Sequence, residues 1–220
     1  MTTEEAEITA QEFDYIDNWR KINYLQPIYD EHGGNSTVIG LMGAEPVLVR
    51  RKIKTVLKNL AKAFAVDLSA AKQKYGDLVG RYASAPIPLC AALILMPVKM
   101  RKPLVKDDGA WGYVVLEKID SWQAIAGPSS SNSRKEEKCS ITFKDGSQVV
   151  ALAGKSSVYS QFKDGQMVRQ KYVELLHPSR PIDDPIREAR AYYLRQVQAG
   201  CDHNCIAQLM RQYLKGLADE

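Results

Sequence analysis

Between residues 49 and 64 the apolar side chains Val49, Ile53, Val56, Leu57, Leu60 and Phe64 recur at spacings of three and four. Arg50, Arg51, Lys52, Lys54, Lys58 and Lys62 occupy positions between them. Such spacing draws one apolar stripe along a helix. A helix divided in this way is marginal alone in water, so its stripe must lie on a core supplied by the rest of the chain. The cations are then left facing outward. A second, shorter helix is predicted from Ser69, as its N-cap, to Gly76, and it adds Lys72 and Lys74. Over residues 50–74 eight bases stand against Asp67, a balance of +7. Over residues 1–31 eight acids stand against two bases, a balance of −6. This asymmetry implies a surface for a polyanion and an acidic segment able to compete for it.

The chain has 220 residues, 45% apolar and 25% charged, which is the balance of a globular protein with room for one large domain and an appendage. The most apolar stretch, residues 85–98, carries Pro86, Pro88 and Pro97 and is too short to span a bilayer. The first ten residues are acidic and have neither the basic nor the apolar region of a secretory signal, so a cytoplasmic protein is expected. Cys90, Cys139, Cys201 and Cys205 are too sparse for a disulfide framework and are expected as thiols.

Three regions are expected: an acidic N-terminal arm (1–24), an α+β domain (25–178) and a C-terminal helical hairpin (182–220). The domain is predicted to hold a small antiparallel or mixed sheet with packed helices. Residues 22–49 read as short strands and turns, Leu89–Met96 as one buried strand and Trp111–Ile119 as another. Ser140–Phe143 and Gln148–Leu152 flank Asp145-Gly146, a hairpin signal. Residues 127–138 contain no apolar side chain beyond glycine and proline and read as a loop. Ser156 or Ser157 caps a predicted helix that runs to Leu176, with Val158, Phe162, Val168, Tyr172 and Leu176 inward, although Gly165 inside it argues against a helix. The apolar stripes of the C-terminal hairpin fit either packing on the domain or dimerisation.

No catalytic or cofactor chemistry is legible. His32, His177 and His203 have no acidic partner in a recognisable motif, so neither nucleophilic nor acid–base catalysis is predicted. Gly154-Lys155-Ser156 resembles the end of a phosphate loop, but the required first glycine is Val149. Cys201, His203 and Cys205 stand two apart, a spacing that does not aim three ligands at one point on a helix. No metal, no cofactor and no enzymatic activity are expected.

The block from Pro86 to Tyr172 resembles the ComK family of competence transcription factors. The resemblance rests on Pro86-Ile87-Pro88 leading to Leu93-Ile94-Leu95-Met96-Pro97, on Trp111-Gly112-Tyr113-Val114, and on Ile141-Thr142-Phe143-Lys144-Asp145-Gly146 with Val149-Val150-Ala151-Leu152. It continues through Ser157-Val158-Tyr159 and the Gln166–Tyr172 segment with Arg169. The match covers roughly residues 25–176. The acidic arm, the 127–138 loop and the tail after Pro185 depart from the family pattern. The resemblance implies a DNA-binding transcription regulator that reads A/T-rich duplex through the minor groove, works as a homo-oligomer and is subject to adaptor-mediated proteolysis.

The residues expected to contact DNA are Arg50, Arg51, Lys52, Lys54, Lys58, Lys62, Lys72, Lys74, Arg81, Lys99, Arg101 and Lys102. Among them Arg50, Arg51, Arg81 and Arg101 are the candidates for insertion into the groove. Lys106 belongs with the second basic group, at 99–106. The acidic arm is expected to mask the basic face when DNA is absent. The other reading of the same charges is a protein-interaction adaptor whose basic face meets an acidic protein.

Overall fold

The structure is a computed structural model that describes residues 13–105, 108–125 and 137–176. The elements run in order α1 (Tyr15–Asn18), β1 (Ile22–Tyr29), β2 (Asn35–Leu41), β3 (Val47–Val49), α2 (Ile53–Ala63), α3 (Leu68–Val79), β4 (Ile87–Cys90), β5 (Leu93–Lys99), β6 (Trp111–Val115), β7 (Ile119–Ile125), β8 (Lys138–Phe143), β9 (Gln148–Ala151) and α4 (Lys155–Leu176). The fold is α+β, as the mixture of periods predicts. Both sheets are wholly antiparallel: one of six strands in the order β3-β2-β1-β6-β5-β4, and one of three in the order β7-β8-β9. The chain divides into two compact units, residues 1–173 and 174–220. The helical hairpin expected over 182–220, with Cys201 and Cys205, lies outside the described residues, as does most of the 127–138 loop.

The six-stranded sheet is covered on both faces. Tyr113 of β6 reaches the groove beside α2, and its register partner Leu25 of β1 is buried on that same face. The neighbouring pair Tyr24 and Val114 points the other way, where the Phe143 ring of β8 stacks on Tyr24 at 5.6 Å between centroids. β5 shows the consequence: Leu93 to Val98 are all buried, whereas a sheet with one wet face would alternate. Double burial explains why its sequence reads as an unbroken apolar run.

Several boundaries differ from the sequence reading for local reasons. Val49 ends β3 and is not part of the helix, because it pairs with Thr37. The second helix starts two residues earlier and extends further than expected. Asp67 is its N-cap, accepting from the Ser69 and Ala70 amides, and Gly80 closes it in the left-handed region at φ 68°. The single strand expected at Leu89–Met96 is a hairpin, β4–β5, turning at Ala91–Ala92. The strand expected at Trp111–Ile119 breaks at a 3₁₀ turn, Leu116–Lys118, and β7 then joins the second sheet. Ala and Leu carry no turn signature, so neither break could be read in advance. The Asp145-Gly146 hairpin forms as predicted, with Gly146 at φ 83°. Gly165 is tolerated within α4 because a Cβ there would stand 3.0 Å from Leu116 Cδ1, so the helix packs closely at that point.

Part of the segment expected as an N-terminal arm is packed into the domain. Phe13 and Tyr15 are buried in the core, α1 is capped by Asp14, and Trp19 meets Phe64 edge to face at 5.4 Å. Residues 13–24 therefore belong to the folded domain, and the remainder of that segment, residues 1–12, lies outside the described residues.

α2 ends in a Schellman arrangement: the Val66 amide donates to the Ala61 carbonyl and the Ala65 amide to Lys62. This places Ala65 at φ 53°, the one described non-glycine residue with positive φ. An L-residue with a Cβ is strained there by roughly 1–2 kcal/mol. Ala65→Gly relieves that strain and gives part back as unfolded-state entropy, so a gain of about 0.5–1 kcal/mol is expected in urea unfolding. A loss of stability would show that Ala65 does not hold the left-handed conformation.

Candidate nucleic-acid interface

α2 buries Ile53, Val56, Leu57, Leu60 and Ala61 against the core. At about 0.8 kcal/mol per buried CH₂, this face outweighs any preference of the intervening lysines. Lys54, Lys58 and Lys62, four residues apart, then form one exposed row along the helix. α3 brings Lys72 to the opposite side of a groove of about 790 Å³. The groove floor is apolar, built from Leu57, Ala61, Val66, Leu68, Tyr113 and the ring of Trp111.

None of Lys54, Lys58, Lys62 and Lys72 forms an ion pair with a described residue. The one acid at the groove, Asp67, is occupied in capping α3. Burial pushes the Lys72 ammonium below its ordinary range, and the Lys54 charge adds to this effect. Among the described residues the groove thus gathers four lysines against one carboxylate, Asp67, an excess of positive charge that favours an incoming polyanion.

The other residues predicted to contact DNA are dispersed. Lys52 sits at the N-terminal end of α2 beside a smaller pocket of about 250 Å³. Arg50 and Arg51 are exposed in the segment before α2, and Arg50 stands 3.6 Å from Glu31. Lys74 is exposed, lies two residues from Lys72 on the helix and is not part of the groove lining. Lys99 is exposed at the end of β5 beside Trp111, and Lys102 is exposed in the following loop. Lys106 lies outside the described residues.

Two of the four arginines named for groove insertion are already engaged. Arg101 is 8% exposed. Its Nε donates to the Gly109 carbonyl at 3.0 Å and its Nη1 to the Ile28 carbonyl at 2.8 Å. The guanidinium also lies over the Tyr29 ring at 4.1 Å. Arg101 therefore fastens the loop after β5 to β1, and its guanidinium is committed to that task. Arg81 donates to Ser160 Oγ and pairs with Asp164 at 3.3 Å, bridging the end of α3 to α4. It remains exposed, but its head group is committed to that bridge. Sequence reasoning counted charges and could not tell which arginines the fold itself would use.

It also missed the groove floor. Trp111 is 38% exposed, Gly109 and Ala83 complete the wall, and all three are distant in sequence from α2. The available signal was a tryptophan at the first position of a predicted strand. Among the described residues no three metal-ligating side chains come together, and no helix is long and apolar enough to cross a membrane.

Two outcomes separate structural from interfacial cations. Arg101→Met removes the donor from two part-buried carbonyls and is expected to cost about 1–3 kcal/mol in urea unfolding. Lys72→Met acts in the opposite sense. A lysine whose folded pKa is lowered is charged more readily in the unfolded chain, so its charge opposes folding below the ordinary lysine range and this opposition fades as pH rises. Lys72→Met is thus expected to raise the melting temperature at pH 7, and the gain should shrink toward alkaline pH. An unchanged or lowered midpoint would show that Lys72 is not desolvated.

No family model matches the chain, and no curated protein or solved structure matches it either.

Proposed function

We propose that the protein is a cytoplasmic DNA-binding transcriptional regulator that acts by binding and not by catalysis. The observation that carries this reading is the row Lys54, Lys58 and Lys62 on α2 with Lys72 across the groove, none paired with a described acid. Successive lysines of the row are about 6 Å apart along the helix axis, a step suited to consecutive phosphates of one strand. Lys52, Arg50 and Arg51 extend the positive surface beyond the N-terminal end of α2. Neutralising phosphates releases counterions, and that release supplies the affinity.

The preference for A/T-rich duplex, the use of the minor groove and homo-oligomeric binding at paired sites come from the resemblance to the ComK family. They belong to the proposal on that ground alone. Of the four arginines, Arg51 is the candidate for groove insertion whose side chain no described residue engages, since Arg81 and Arg101 serve elsewhere and Arg50 faces Glu31. A narrow A-tract groove would favour its cation through shape.

The test is a salt series of binding to A/T-rich and G/C-rich duplexes. A linear fall of log affinity with log salt is expected, with tighter binding to the A/T duplex. Replacing Lys54, Lys58 and Lys62 together by glutamine should reduce the slope by about two to three units, at roughly 0.9 for each phosphate no longer neutralised. Unchanged slope in the triple variant would remove the α2 row from the interface. Absence of binding at low salt would remove the function.

A further inference from the structure

Duplex phosphates explain the lysines of the α2–α3 groove but not its floor. A duplex keeps its bases stacked inside and would leave the half-buried Val66 and Leu68 and the Trp111 indole uncovered. Yet the floor is apolar along its length and ends at the half-exposed indole of Trp111. Ala65, Ala83 and Gly109 contribute little side-chain bulk to the lining, so the floor is open to a planar ring.

We propose that this groove binds a single strand of nucleic acid, with one or more unpaired bases on the apolar floor against Trp111 and the phosphates along Lys54, Lys58 and Lys62. This rests on the nucleic-acid reading above and specifies the form of ligand that the site takes. Single-strand sites combine a positive track for the backbone with aromatic faces for the bases, because every base has a π face and every phosphate a charge. Both parts are present in one groove here, on α2, α3 and the start of β6. An anionic lipid head would engage one or two of the lysines and leave the rest of the row unused. An acidic helix could match the charges, but its carboxylate side chains offer no π face to stack on the indole.

The consequence for regulation is specific. A/T-rich duplex opens at the lowest cost, so a protein with this groove gains affinity where strands part. The chain would hold an opened or unwound segment rather than a closed helix.

The full chain is titrated, at one salt concentration, with a labelled oligothymidine strand, an A/T duplex and the same duplex carrying a central unpaired bubble. The strand and the bubble are expected to bind at least about tenfold tighter than the closed duplex, as one stacked base would contribute. Trp111→Ala should lose roughly tenfold on the strand and little on the duplex, while Trp111→Phe keeps most of the strand affinity. Circular dichroism of both variants verifies that they are folded. A closed duplex that binds as tightly as the strand, or a folded Trp111→Ala variant with undiminished strand affinity, overturns the single-strand site but leaves the duplex reading standing. Failure to bind any of the three, with binding of polyglutamate instead, overturns both and assigns the groove to an acidic polypeptide.

Discussion

The burial of the α2 stripe is the interaction that sets the positions of the other parts. Ile53, Val56, Leu57 and Leu60 enter a core shared with both sheets. Fully burying four such side chains is worth on the order of 6–12 kcal/mol before the entropy of ordering them is counted. No electrostatic preference of the intervening lysines competes with a term of that size. The helix therefore has one possible rotation on the sheet, and the lysine row follows from it. Its charges are outward because the stripe is inward.

The same core sets how the other cations are used. Where a loop must be held to the sheet, a guanidinium is suited to the task, since it can donate to two carbonyls and lie over a ring at once. Arg101 does this between Gly109, Ile28 and Tyr29. Tyr29 and Asn35 in turn donate to the carboxylate of Asp108, so that both ends of the loop are fixed to the same strands. An ammonium makes a poorer bridge of this kind, and Lys54, Lys58, Lys62 and Lys72 remain without ion pairs to described residues. The division between bridging arginine and lysine without a described ion pair thus follows from geometry more than from charge.

A comparable device fixes the second sheet. The β8–β9 turn places Asp145 where Asn23, Gly43 and Ser147 all donate to it. Burial alone would raise its carboxyl, but these hydrogen bonds outweigh that effect and hold it at about 2. The turn thereby docks on the start of β1 and on the β2–β3 connection, while the Tyr24–Phe143 stack holds the sheets face to face. With the sheets held in this way, β6 lies under α2 and its first residue, Trp111, reaches the groove.

Local sequence is enough to dictate the elements with strong signals: the amphipathic α2, the Asp145-Gly146 hairpin and the α+β class. It also dictates that the segment from Arg50 to Lys74 is basic and carried on helices. These are legible because periodicity and turn chemistry act over a few residues. The β4–β5 turn, the break after Val115 and the docking of residues 13–24 are hidden from it, because each depends on a partner distant along the chain. The site divides in the same way. Lys54, Lys58 and Lys62 are readable as one face, since a helix places residues four apart side by side. That Lys72 joins them, that Arg101 and Arg81 leave them, and that Trp111 closes an apolar floor beneath them all follow from the tertiary arrangement. Sequence states which side chains a helix presents together; the packing of helix on sheet decides which distant groups they meet.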